Sequence, residues 1–462
     1  MNLLKDPAIV VSLIGMVVIL VVVGLHVLTP FTVLIILFLI IALYASLFSK
    51  KQKKQYSKKR FVFSPILALF IVYPASLGIA LWYDGNSEIY PLHLFMLYGY
   101  SMTVLIVAIV MPLSLYLSSI TKLEEDKNIS FPPISIIIPA YNEEKVIESC
   151  IKSALSASYP TKKEIVAIDN CSQDDTYKIL TKYANKIIIG KESTKGKSFA
   201  INNGIAKSNG DIIIVIDADT IIEKKGLRNI IKPFINNPNV GAVSGNVKIQ
   251  NVTNIHTKIQ VLEYAVSMQI SRGILGLFGI VPVVSGAFGA FRRTTIIQNG
   301  YNSAFTNDTL TEDFDATITI LKRGYTTQFN KNALAYTEAP QTLKDYIRQR
   351  FRWYRGFLQG YIKHADFFIN PKHGYVKNLG FFLLINAHII IPINGIVNII
   401  AIIPATILGN WLIFGQLIIL NFLIMIFYFL ASMKLSDDKI DKSLMWYYQL
   451  HSYICAYSIM FF

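Results

Sequence analysis

Long uninterrupted apolar runs constrain this chain more than any other feature of its sequence. They lie near residues 8–28, 31–48, 61–82 and 91–119, and again near 379–404, 411–432 and 444–462. As helices, such runs are long enough to cross a hydrocarbon core of roughly 30 Å, where every backbone polar group must be paired within its own segment. They predict about seven transmembrane helices. The first run exceeds the usual apolar core of a secretory signal and no small-residue cleavage site follows it, so it reads as a retained anchor.

The stretch between the two groups is different. The whole chain is 53% hydrophobic and 16% charged, more apolar than an average soluble domain, yet residues 121–375 are polar enough to fold in water. The expected organisation is an N-terminal membrane region at 1–120, a soluble domain at 121–375 with interfacial helices near its C-terminal end, and a C-terminal membrane region at 376–462. The cluster "KKQKKQYSKKR", with seven Lys or Arg in eleven residues, marks the cytoplasmic side. The "DGNSE" turn after Trp82 then lies outside, and the soluble domain and the "KLSDDKIDK" loop lie inside.

A net charge of +15 is concentrated in that cluster and in the soluble domain, where membrane lipids with anionic head groups and a phosphorylated substrate account for it. No nucleic-acid-binding motif accompanies it. Cys150, Cys171 and Cys455 have neither metal-ligand spacing nor a disulfide framework.

Within the soluble domain, strand-like and helix-like segments alternate. "ISIIIPA", "EIVAIDN" and "DIIIVIDAD" read as buried strands. "NEEKVIESCIKSALSAS" reads as a helix capped by Asn142, with Ile147, Ile151, Ala154, Leu155 and Ser158 in helical period. Such alternation predicts an α/β fold with a mainly parallel sheet covered on both faces. Ligands bind such sheets at the carboxyl ends of the strands. Those ends carry Asp169, Asp217 and Asp219. Residues two apart on an extended chain point the same way, so Asp217 and Asp219 are placed to face one cation. Hard oxygen ligands suit Mg²⁺ or Mn²⁺ completed by a substrate diphosphate; an isolated Asp-x-Asp also commonly caps a helix or closes a turn.

Taken in order, "IPAYNEE", the Asp169 strand end with "NCSQDDT", "KGKSFAINNG", "VIDADT", "VSGAFGAFRR", "LTEDFD" and "QRFRW" resemble the motifs of membrane-embedded family-2 glycosyltransferases. That family includes cellulose, chitin, hyaluronan and bacterial poly-N-acetylglucosamine synthases. The resemblance covers residues 133–360. It implies a cytoplasmic GT-A-type, Rossmann-like domain inserted between transmembrane helices. It also implies that Tyr141, Glu143 and Asp169 hold the uridine of a UDP-sugar donor, with Lys197 near its phosphates. Asp217 and Asp219 would then form the donor and metal pair, Asp219 the more direct ligand of Mg²⁺ or Mn²⁺. Asp313 would be the catalytic base beside Glu312. Gln349, Arg352 and Trp353 would meet the diphosphate and the acceptor. Where relatives often read "DDGS", this chain reads "DNCS", so Asn170 replaces a carboxylate and Cys171 a glycine.

The chemistry of the residues agrees with that implication. Displacing a nucleoside diphosphate from an anomeric carbon needs positive charge on the leaving group and a carboxylate for the acceptor proton. On a helix, Gln349, Arg352 and Trp353 share a face. There Arg352 can fork onto a pyrophosphate and the indole can stack on a pyranose. Each motif has a plainer reading as well. Thr311 can be a helix N-cap with acidic residues in its first turn. Trp353 and Arg352 can anchor a helix at lipid head groups. Gly286 and Gly289 serve either close approach to a sugar or tight strand packing. Asn386, Asn394 and Asn398 line either a polymer channel or an interhelical hydrogen-bonded seam.

The resulting expectation is an inverting membrane glycosyltransferase extending a polysaccharide from a UDP-sugar and exporting it. One alternative is a single transfer to a lipid acceptor, as in glycolipid synthases. Another is a non-catalytic nucleotide-sensing transporter or receptor. Neither the sugar nor the oligomeric state is written in these residues.

Overall fold

In the computed structural model, which describes residues 130–235, 237–297, 305–369 and 384, the first apolar run of this central segment forms strand β1 (Ile134–Ala140) with every side chain buried. The chain continues through α1 (Ile147–Ser156), β2 (Lys163–Asn170), α2 (Thr176–Thr181), β3 (Ile188–Glu192), α3 (Lys197–Ala206), β4 (Ile212–Ile216), the short β5 (Ile221–Ile222), α4 (Gly226–Ile235) and β6 (Val240–Ile249). Then come α5 (Ile255–Ala265), a wider helical turn at Val266–Arg272, α6 (Gly273–Leu277), β7 (Phe288–Arg292) and α7 (Arg293–Ile296). The last elements are α8 (Glu312–Lys322), β8 (Thr326–Thr337), α9 (Leu343–Lys363) and α10 (Ala365–Ile369).

Continuous apolar strands arise because both faces of the sheet are covered. Ile136 and Ile138 enter one core cluster and Ile137 the other; Ile212, Ile214 and Ile216 are likewise separated from Ile213 and Val215. Helices α1 and α4 close the first face with Ile147, Ile151, Leu227 and Ile230. On the second face, α3 and α8 contribute Ala200, Ile201, Ala316 and Ile320. Alternate strand residues must point to opposite faces, so a strand that is half polar would leave one helical layer unsupported.

The eight strands are ordered β3-β2-β1-β4-β7-β6-β8-β5, and the sheet is mixed where a mainly parallel one was expected. Parallel pairing joins β3, β2, β1 and β4, and also β6 to β8. Strand β7 is antiparallel to both β4 and β6, and β5 is antiparallel to β8. The cause is the connection after β6, which re-enters the sheet at the edge it left. Phe288 at the start of β7 therefore pairs with Ile216 at the end of β4. Residues leading into β7 thus gather with residues leaving β4.

Helix α1 begins at Ile147, after the expected Asn142 cap, and its N-cap position Val146 makes no side-chain capping bond. Asn142 instead adopts φ +55°, a left-handed conformation that Asn tolerates better than most residues. Its N–H donates to Ser172 Oγ at 3.0 Å and its Oδ1 accepts from Gln173 N–H at 2.8 Å. It ties the exit of β1 to the exit of β2. Ser158 lies beyond the helix and is exposed.

Among the described residues no helix is long and apolar enough to cross a membrane. Apart from Leu384, the seven expected spans, the basic cluster at 50–60, and Asn386, Asn394 and Asn398 lie outside the described residues.

Candidate active site

Strand β4 stops at Ile216, and the Thr220 N–H donates to the Asp217 carbonyl at 3.0 Å. Asp217 and Asp219 therefore stand in a tight turn, not on the extended chain assumed from their spacing. Distant elements aim their carboxylates. Asp219 Oδ1 accepts from Thr337 Oγ1 at 3.1 Å, at the end of β8, and from Thr220 Oγ1 at 3.3 Å. Asp217 Oδ1 lies 2.6 Å from the Lys197 ammonium.

Lys197 opens α3, and its Nζ also lies 3.0 Å from Glu312 Oε1. Glu312, Asp313 and Asp315 are the acidic residues of the first turn of α8. Thr311 occupies the N-cap position but makes no side-chain capping bond; the acidic first turn itself suits the positive end of the helix dipole. Asp313 Oδ2 accepts from the Gly286 N–H at 3.1 Å. A Cβ on Gly286 would lie 2.9 Å from Lys197 Nζ, 3.5 Å from Glu312 Oε1 and 3.6 Å from Asp313 Oδ2. Gly286 thus lets the backbone approach this charged centre. Gly289 serves packing, since a Cβ there would meet Ser285 O at 2.7 Å and Val284 at 2.8 Å.

Crowded carboxylates with partial burial shift their own protonation. Burial, with Asp219 and Asp217 nearby, raises the Glu143 pKa to about 7. Burial and Asp217 push Asp219 up to about 6, against the Thr337 bond and Lys197. Asp313 is raised by burial and by Glu312, with Lys197 and the Gly286 N–H opposing. Burial alone would lower Lys197, but Asp217 and Glu312 outweigh it and keep the ammonium charged. The centre holds an excess of negative charge around one tethered cation, the condition under which a second cation is drawn in.

The exits of β1 and β2 form the adjoining wall. Asp169 is buried, and its Oδ1 has no hydrogen-bond partner within the protein, an unsatisfied acceptor of the kind that a ligand N–H would complete. Tyr141 is exposed, with Lys195 Nζ 3.0 Å from its hydroxyl. Asn170 proves to be a tether. Its Oδ1 accepts from Gly196 N–H at 2.8 Å and its Nδ2 donates to Thr194 O at 2.7 Å, fixing the loop that delivers Lys197. Cys171 adopts φ +62°, the left-handed geometry that a glycine would take at no steric cost.

Helix α9 carries Gln349, Arg352 and Trp353, three and four residues apart as the helical spacing requires. It packs directly on the loop entering α8. A Cβ on Gly356 would meet Thr311 side-chain atoms at 2.5 and 2.6 Å, one on Gly360 would meet Phe314 at 2.5 Å, and Gln359 Oε1 accepts from Leu310 N–H at 3.0 Å. Gln349 and Trp353 are half-buried, whereas Arg352 is exposed and hydrogen-bonds to none of the carboxylates. The buried arginine of the motif is Arg350, two residues earlier.

Residues 132–356, which contain the carboxylates, Lys197 and the Gln349, Arg352 and Trp353 of α9, match the family described as Glycosyltransferase like family 2. The chain carries a family 2 glycosyltransferase domain. It is 31% identical over 242 residues to the poly-beta-1,6-N-acetyl-D-glucosamine synthase of Staphylococcus aureus strain COL, covering 52% of this chain and 57% of that protein. The synthase of the same name from Staphylococcus epidermidis is 31% identical over 226 residues, covering 48% of this chain and 54% of the relative. The chain thus spans a little over half the length of these relatives. Among solved structures, a mannosyltransferase from Pyrobaculum calidifontis in complex with GDP-mannose and Mn²⁺ is 19% identical. It covers 73% of this chain and 98% of its own, with a TM-score of 0.47.

Several residues of the glycosyltransferase domain join the centre without having stood out in the sequence. Thr337 orients Asp219 and Asn170 holds the Lys197 loop. Arg272, the half-buried last residue of the Val266–Arg272 turn, donates through Nε to Val283 O at 2.9 Å and lends positive potential to Asp313. Only the departure from "DDGS" pointed toward one of them. Among the described residues no group of three His, Cys, Asp or Glu side chains could by itself hold a metal ion. Asp217 and Asp219 could supply two carboxylate ligands, and Mg²⁺ commonly binds through one or two carboxylates with substrate phosphates and water.

Proposed function

We propose that the chain is an inverting membrane glycosyltransferase that transfers a sugar from a UDP-sugar to the hydroxyl of a growing polysaccharide, repeatedly. Its catalytic domain, residues 121–375, would face the cytoplasm between membrane regions 1–120 and 376–462. The observation that carries this reading is the Lys197 ammonium held between Asp217 and Glu312, with Asp313 beside them on the Gly286 N–H. Leaving-group charge and acceptor proton are thereby provided for within one centre. The relatives are poly-N-acetylglucosamine synthases, which favours N-acetylglucosamine as the sugar.

In this reading Tyr141, Glu143 and the unsatisfied Asp169 oxygen bind the uridine, and Lys197 lies along the diphosphate. Asp217 and Asp219 hold Mg²⁺ or Mn²⁺, which when bound stabilises charge on the departing phosphate. Asp313 takes the proton of the acceptor hydroxyl. That oxygen bonds to the anomeric carbon from the face opposite the leaving group, the carbon–oxygen bond to the β-phosphate breaks, and UDP departs. Glu312 holds Lys197 in place. Gln349, Arg352 and Trp353 meet the diphosphate and the acceptor end.

Full-length protein in detergent or nanodiscs, given Mn²⁺ and a panel of UDP-sugars, should release UDP fastest with UDP-N-acetylglucosamine and build high-mass product. A product limited to one added sugar on a lipid would assign it to the glycolipid synthases. Absence of UDP release with every donor would leave nucleotide sensing as the function.

A further inference from the structure

Arg350 is the most enclosed cation of α9, and its contacts reach two residues of the acceptor motif, Tyr346 one turn back on the same helix, and Glu263 on a single partner helix. Its Nη2 lies 2.6 Å from Glu263 Oε2 on α5. The Tyr346 hydroxyl donates to the other oxygen of the same carboxylate. Its Nη1 donates to Gln349 Oε1 at 2.8 Å, leaving the Gln349 amide NH₂ as the free donor. Its guanidinium lies over two rings, 4.5 Å from the centroid of Tyr346 and 4.2 Å from that of Trp353.

Tyr346, Arg350 and Trp353 are spaced by four and three residues, so they line one side of the helix. We propose that Arg350, locked by Glu263, is a positioning residue that sets the Trp353 ring and the Gln349 amide for the acceptor sugar. With one face of the indole covered by the guanidinium, only the opposite face can stack on a pyranose. Glu263 belongs to a helix more than eighty residues earlier in the chain, so the clamp also fixes α9 relative to the sheet at the level where Trp353 projects. A planar, forked cation suits this arrangement because it can pair with a carboxylate, donate to an amide and stack on an aromatic face at once. A lysine has the charge without the plane. The proposal rests on the polymerising reading above, since it needs an acceptor sugar.

The test uses full-length protein with UDP-N-acetylglucosamine, Mn²⁺ and a β-1,6-linked N-acetylglucosamine oligosaccharide as acceptor. Three variants are compared: Arg350→Lys, Arg350→Met, and the double variant Arg350→Met with Glu263→Gln. The double variant leaves no uncompensated buried charge, and neutral replacement of both partners of a buried pair is commonly tolerated. The expected result is an acceptor KM raised roughly tenfold or more in all three, as misplacement of a substrate-orienting group produces, with a much smaller change in donor KM. A purely structural role would reduce the active fraction and lower kcat while leaving acceptor KM unchanged; that pattern in the double variant overturns the proposal. Failure of the wild-type protein to release UDP with this acceptor would instead overturn the polymerising reading, and the proposal with it.

Discussion

Asp313→Asn should lower sugar transfer by about 10²–10⁴-fold, the range associated with loss of a general base, while UDP still binds. The substitution keeps size and an acceptor oxygen for the Gly286 N–H, but it cannot accept the hydroxyl proton. Burial and Glu312 raise the Asp313 pKa, so the base is stronger than a solvated carboxylate and still ionises beside Lys197. The transfer rate should accordingly fall on the acid side, as pH drops through a pKa above the ordinary aspartate range. UDP release in single turnovers checks this: equal rates for Asp313→Asn and wild type would remove Asp313 from the chemistry.

The second large effect concerns Asp219. Asp219→Asn should reduce Mn²⁺-dependent UDP release by roughly 10²-fold or more, comparable to removal of a preorganised group that stabilises transition-state charge. The pH dependence has a definite sign. Glu143 and Asp219 have folded pKa values raised to about 7 and about 6, above their ordinary values. Their contribution to the stability of the metal-free protein is therefore fully present below the unfolded carboxylate values and is lost as pH rises through 6 to 7. A divalent cation reverses this, because it binds only the ionised forms. Thermal unfolding with and without Mn²⁺ should show stabilisation by the ion growing from pH 5 to pH 8. Stabilisation independent of pH would mean that these carboxylates do not meet the ion.

The strands were legible because the sheet is covered on both faces, which forces the central runs of β1, β2 and β4 to be apolar on both sides. The motif order was legible because most of the motifs sit at a strand exit or a helix start, where the sheet gathers ligand-binding residues. The direction of β7 was not, since it depends on the path of the connection after β6 and not on any local pattern. Asn142 offered a capping side chain at the right place, yet the turn it makes in left-handed geometry uses that side chain across loops and starts α1 at Ile147. Asp217 and Asp219 were placed on extended chain; a tight turn presents them instead, and the pairing of β5 with β8 brings Thr337 to orient Asp219. Arg350 was overshadowed by Arg352, because helical spacing alone ranks the motif residues by face and says nothing about which face meets α5. Glu263 carries no sequence signal at all, being one charged residue of an ordinary helix.

Equilibrium binding of UDP to the full-length protein, measured with and without Mn²⁺, reaches the central claim most directly. If Asp217 and Asp219 share one cation with the donor diphosphate beside Lys197, wild-type affinity should tighten roughly tenfold or more with the ion, about 1.4 kcal/mol, and Asp219→Asn should erase that gain. Identical affinity in the presence and absence of Mn²⁺, or a gain that survives in Asp219→Asn, would contradict a single cation-bridged centre.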